Sequence, residues 1–154
     1  LGLAAGARVI QQEITRPPPE VKEALRLQEE EQVIRIVRLR LADDQIMALE
    51  TAFLPCRLFP ALIEMDLNDR SLFQVLEDEL NASIAYAVDT VELSTAGPYE
   101  AAELQSQEGM PIVLNTRIVF SADDRPLAFI RTIHRGDRFR AVVRCSRKDL
   151  EALK

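Results

Sequence analysis

The chain has 154 residues, 47% hydrophobic and 29% charged, a balance ordinary for one folded globular domain or two very small ones. Its 19 Lys and Arg against 25 Asp and Glu give a formal charge of −6. That makes it a poor nucleic-acid ligand on its own, because phosphate neutralisation needs clustered cations. No window approaches the ~18 consecutive apolar residues of a membrane span. Two cysteines, Cys56 and Cys145, exclude a disulfide framework and suit a reducing cytosol, and the single histidine, His134, excludes the usual zinc sites.

The opening LGLAAGARVI lacks the charged start and long apolar core of a signal peptide, and it has no initiator Met. The closing RKDLEALK reads as a helix cut short, so both ends point to a fragment of a longer protein. Between them, Arg8 to Thr15 alternates weakly and predicts an edge strand, stopped by Arg16-Pro17-Pro18-Pro19. Glu20 to Gln28 predicts a helix, with Val21, Ala24, Leu25 and Gln28 at i, i+3, i+4, i+7. Val33 to Leu41 is rich in β-branched residues and is the strongest strand signal. A turn at 42–45 returns the chain through a strand from Ile46 to Leu54. Ser71-Leu72-Phe73-Gln74 matches the capping box and opens a helix over 72–80, with Asn81 as its C-terminal cap. Ile84 to Leu93 predicts a strand. Pro98 starts a helix running to about Gln107, and Gly109 ends it. Ile112 to Phe120, Leu127 to His134 and Phe139 to Cys145 predict three further strands.

An internal repeat runs through these elements. Glu23 to Phe53 aligns with Ala102 to Ile133 with one residue inserted near the turn, matching Leu25 to Leu104, Gln28 to Gln107, Arg38 to Arg117 and Ala42-Asp43-Asp44 to Ala122-Asp123-Asp124. Each copy is a helix followed by two antiparallel strands, which predicts an α+β fold with a mainly antiparallel sheet and its helices gathered on one side. Helix–hairpin units also resemble one another for purely structural reasons.

No catalytic signature is present: no glycine-rich phosphate loop, no G-x-S-x-G and no H-E-x-x-H. The arginines of the first strong strand are more informative. Parity puts Arg38 and Arg40 on one face with Ile34 and Ile36. A three-residue loop through Gln45 would set Glu50 opposite Arg38, and a two-residue loop would set it opposite Val37; the first is preferred because it gathers Arg38, Arg40 and Glu50 on one face. That group reads either as a structural cross-strand ion pair or as a pocket floor of two guanidiniums for an anion and one carboxylate for hydroxyls or amines. Ser71 reads as an N-cap, and also as one side of an anion site where a helix start faces the arginines. His134 reads as a sheet-edge histidine or a pocket-rim group.

The stretches VIRIVRLRLADDQIMALETAFLP, LFPALIE, SLFQVLEDEL and GMPIVLNTRIVFSADDRPLAFIRTIHRGDRF resemble the UTRA domain, the effector-binding domain of HutC-subfamily GntR-type transcription regulators, over about Arg8 to Cys145. The resemblance implies a chorismate-lyase-like α+β fold, a homodimer, no cofactor, and contact with DNA only through an N-terminal winged helix-turn-helix that this chain lacks. It also implies an effector site. The family's R-x-R falls on Arg38 and Arg40, its A-L-E glutamate on Glu50, and its S-L-Y on Ser71 and Phe73. A strand glutamate is replaced by Ala128, and a tyrosine before R-G-D by His134. With the anion half retained and these hydroxyl partners lost, the implied effector is a smaller, less hydroxylated anionic metabolite, such as a carboxylate or phosphonate. The alternative of another class is a small chorismate-lyase-type enzyme acting on a carboxylate.

Overall fold

The computed structural model describes residues 5–152. Six strands, β1 (Ala5–Thr15), β2 (Val33–Ala42), β3 (Gln45–Pro55), β4 (Tyr86–Thr95), β5 (Pro111–Phe120) and β6 (Pro126–Arg135), form one sheet in the order β1-β2-β3-β6-β5-β4. Every neighbouring pair is antiparallel, as expected for the α+β class. The order is palindromic about the β3–β6 seam. The repeat therefore extends beyond the helix–hairpin legible in the sequence: β1-α1-β2-β3 and β4-α3-β5-β6 are the two copies, with α1 at Pro19–Ala24 and α3 at Pro98–Glu103.

Both repeat helices are shorter than periodicity predicts, and for the same reason. At matched positions Arg26 (φ 54°) and Gln105 (φ 51°) turn left-handed. Leu27 N–H then donates to Lys22 C=O at 3.0 Å, and Ser106 N–H to Ala101 C=O at 2.9 Å. These closures spend the last helical carbonyls and redirect the chain into the next strand. The predicted helix over 72–80 forms as α2 (Leu72–Gln74) continuing into one π-helical turn (Val75–Glu79), and Asn81 takes the left-handed closing position at φ 57°.

The two faces of the sheet are covered differently. α1 and α3 pack on the face carrying Val33, Val37, Leu39, Leu49, Phe53 and Phe129. α2 and a 3-10 helix at Pro60–Glu64 lie on the opposite face, over Ile34, Ile36, Leu54, Val119 and Ile130. The helices are thus split between the faces, not gathered on one side. The segment 56–84 has its own apolar stripe, Leu62, Leu67, Leu72, Val75 and Leu76, and buries it on this second face.

The β2–β3 turn is the two-residue form, with Asp43 and Asp44 both left-handed and Ala42 paired with Gln45. The expected three-residue loop is not formed. A bulge between Arg40 and Leu41 leaves Met47 as the extra residue, and that one-residue shift brings Glu50 opposite Arg38. The expected facing is reached by a different device.

The strand expected from Phe139 to Cys145 is also not formed. After β6 the chain makes a 3-10 turn at Gly136–Arg138, and Arg138 Nη1 donates to Ile46 C=O of β3. The exit therefore lies over the middle of the sheet, where both neighbours of β6 are already paired. With no ladder to join, Val142 and Val143 stay exposed.

Candidate functional site

On the α2 face the strands stack side chains in rows that can be read straight from the pairing register. Ile36, Ala52, Ile130, Arg117 and Asp89 form one row. Arg38, Glu50, Thr132 and Asn115 form the next, and Arg40, Ala48 and His134 the third. α2 covers the apolar end of this face and stops short of the polar rows. The uncovered part is a cavity of about 540 Å³, floored by those rows and walled by 5–7 and 69–73.

Arg38 and Arg40 sit two residues apart on one face yet are held quite differently. Arg38 is 4% exposed. Its Nε donates to Glu50 Oε2 at 2.8 Å, its Nη2 lies 2.7 Å from the same oxygen, and its Nη1 donates to Leu67 C=O at 3.0 Å and Arg70 C=O at 2.7 Å. Four of its five N–H groups are thereby committed to the protein. The pair ties the sheet to the 67–70 loop that presents Ser71. Arg40 is 56% exposed in its side chain and only loosely paired, 3.6 Å from Glu50 Oε1. It is the less engaged of the two, and it lines the cavity. Ser71 accepts from Gln74 N–H at 3.4 Å as the N-cap of α2, and Ser71, Leu72 and Phe73 line the cavity.

Phe73 lines the cavity, with the Arg117 guanidinium 5.7 Å above its ring centroid. His134 lines it too, half-buried, its ring 4.9 Å from that of Phe139. Of the residues singled out in the sequence, Arg38, Arg40, Glu50, Ser71, Phe73 and His134 converge. Ala128 does not: it is fully buried in the apolar core with Leu54, Leu76 and Val119, two residues along β6 from the cavity floor.

Burial, and after it the charge of Arg40, holds the His134 imidazole below its ordinary 6.5. The fold thus favours the neutral ring, so this contribution to stability is present above pH 6.5 and is lost as pH falls from 6.5 toward the lower folded value. An anion beside Arg40 acts the other way and raises the value. Because the chain has a single histidine, its one imidazole NMR resonance should titrate below 6.5 alone and move upward in phosphate. A midpoint unmoved by saturating phosphate would show that the anion binds elsewhere.

The sequence reading missed Asn115, Arg117 and Thr132 as cavity residues. The signal was available: Asn115-Thr116-Arg117 interrupts an otherwise apolar strand, and Arg117 is the repeat counterpart of Arg38. The two arginines differ because their carboxylates lie on opposite sides. Glu50 faces Arg38 from β3, whereas β6 offers Arg117 only Ile130, so Arg117 takes Asp89 on β4 at 2.6 and 2.8 Å. That places the second pair at the exposed edge of the sheet.

An antiparallel α+β sheet whose one face is half core and half an open cationic cavity defines a small-molecule-binding domain. The family model of the UTRA domain matches residues 1–140, and the chain belongs to this family. It is 28% identical over 138 residues to the HTH-type transcriptional repressor NagR of Bacillus subtilis, covering 90% of this chain and 56% of that protein. It is 28% identical over 106 residues to the repressor PhnF of Mycolicibacterium smegmatis, covering 69% of this chain and 43% of that protein. The chain thus spans about half the length of these curated relatives. Among solved structures, the effector domain of PhnF from Mycobacterium smegmatis superposes with a TM-score of 0.84 at 26% identity, over 94% of this chain and 90% of that one. The fold is the chorismate-lyase-like fold of such domains, and the chain is homologous to effector-binding domains of GntR-family regulators. Among the described residues, no helix is long and apolar enough to cross a membrane.

Proposed function

We propose that the chain is the sensing part of a cytoplasmic transcription regulator. It binds a small anionic metabolite in the cavity and so changes operator binding by a winged helix-turn-helix domain on the same polypeptide. The observation that carries this reading is the contrast, within one cavity, between Arg38, held by Glu50 and two backbone carbonyls, and Arg40, largely exposed and loosely paired: one guanidinium builds the site and the other is left for a ligand. The repressor names of the relatives support the regulatory half of the reading. The same names disfavour the alternative of a chorismate-lyase-type enzyme.

A second copy of the chain belongs to the same reading. β4 is an edge strand exposed along its whole length, with Val88, Val91 and Leu93 uncovered. It carries Glu92, and the segment after β6, which joins no ladder, carries Arg140 and Arg144. Opposite charges and two unsatisfied backbone edges favour a homodimer that pairs them. A regulator dimer would present two DNA-binding heads to a two-fold operator. The test is operator affinity of the full regulator with and without the anion, together with light scattering. Sensing requires the anion to change the affinity, since an effector must bind the two states unequally. An unchanged affinity at saturation defeats the sensor, and a mass of 17.4 kDa at tens of micromolar defeats the dimer.

A further inference from the structure

The row Arg38-Glu50-Thr132-Asn115 crosses four adjacent strands on the cavity face, and only its first half is explained by an anion site. Arg38 and Glu50 satisfy each other. Beyond them Thr132 is 6% exposed, and Asn115 Oδ1 is buried with no hydrogen-bond partner, although both residues line the cavity. A buried carbonyl without a donor is costly, on the order of 1–3 kcal/mol. It becomes favourable if a ligand brings the donor.

Resting on the reading of the cavity as an anion site, we propose that Asn115 and Thr132 form a second subsite that reads a hydroxyl group on the ligand, remote from its anionic head. The electrostatics select a neutral donor. Glu50 is paired with Arg38, and Asp89 with Arg117, so the carboxylates of the two rows are both compensated and offer no net negative charge to attract an ammonium. Once the Asn115 amide turns toward the cavity, a hydroxyl can donate to Oδ1 while accepting from the amide N–H or the Thr132 hydroxyl. The geometry sets the reach. Asn115 lies two strands from Glu50, roughly 10 Å at about 4.8 Å per strand, so the ligand is an extended hydroxylated anion and not a compact one. The expectation of a less hydroxylated effector rested on Phe73, Ala128 and His134 standing where hydroxyl partners would be, and Ala128 is not a cavity residue. That position is buried in the core, whereas Asn115 and Thr132 supply hydroxyl partners inside the cavity.

The test uses matched probes: hexyl phosphate and hexanoate, each with its ω-hydroxy counterpart, titrated by calorimetry into the protein and into Asn115→Leu, Thr132→Val and Arg40→Ala. The wild type should bind the hydroxylated member of at least one pair about three- to tenfold more tightly, the worth of one neutral hydrogen bond. Asn115→Leu should remove that preference while keeping the affinity for the non-hydroxylated member. Thr132→Val, nearly isosteric, should reduce the preference even if the leucine variant folds poorly. A preference that is absent from the wild type, or that survives both variants, overturns the subsite. If no probe binds more weakly to Arg40→Ala than to the wild type, the anion reading itself has failed. The two failures are therefore distinguishable.

Discussion

Replacing Arg38 with alanine should lower the stability of the domain by about 3–5 kcal/mol, the usual consequence of removing one member of a buried ion pair. The expected loss is large because three groups are orphaned together: the Glu50 carboxylate and the carbonyls of Leu67 and Arg70. The ion pair itself sits where water reaches poorly, Arg38 and Glu50 being 4% and 5% exposed. Thermal unfolding should show a fall in melting temperature on the order of 10 °C for a domain of this size. Arg38→Lys should recover only part of it, because an ammonium cannot fork between the carboxylate and two carbonyls. Loss of ligand binding in this variant would follow from loosening of the 67–70 loop. A drop smaller than about 1 kcal/mol would mean that the pair contributes little and that Arg38 is held for the ligand.

Arg40→Ala should do the opposite. Its guanidinium is largely exposed and 3.6 Å from Glu50, so stability should move by no more than about 0.5 kcal/mol. Affinity for an anionic probe should fall by about 1.5–3 kcal/mol, roughly 10- to 150-fold, the range for hydrogen bonds to charged groups. Isothermal titration on the folded variant checks both halves. An independent readout is His134: without the Arg40 charge its depressed titration should move part of the way back toward 6.5, leaving the larger effect of burial. Unaltered affinity would remove Arg40 from the binding site. The two substitutions lie two residues apart in one strand, and their opposite signatures separate the residue that builds the cavity from the one that serves it.

Much of this molecule is written locally. The β-branched run at 33–41, the capping box at 71–74 and the Ala-Asp-Asp turns place strands, helix start and hairpins where the structure has them, because these signals act over a few residues. Strand parity alone put Arg38, Arg40 and Ile36 on one face. The motif positions brought six of the seven named site residues to a single cavity. What the sequence could not determine depended on distant partners. The bulge at Met47 rescues the facing of Glu50 because one slipped residue would otherwise turn a carboxylate against Val37. Phe139 to Cys145 has strand chemistry but no free ladder where the chain emerges. The two repeat arginines look equivalent in sequence and differ in burial because Glu50 and Asp89 lie on opposite sides of them and because the 67–70 loop closes over Arg38. Ala128 and Thr132 lie on the same face of the same strand, but α2 covers the first and stops before the second. Only the packed sheet decides that, because the boundary between core and cavity is set by where a helix from elsewhere in the chain comes to rest.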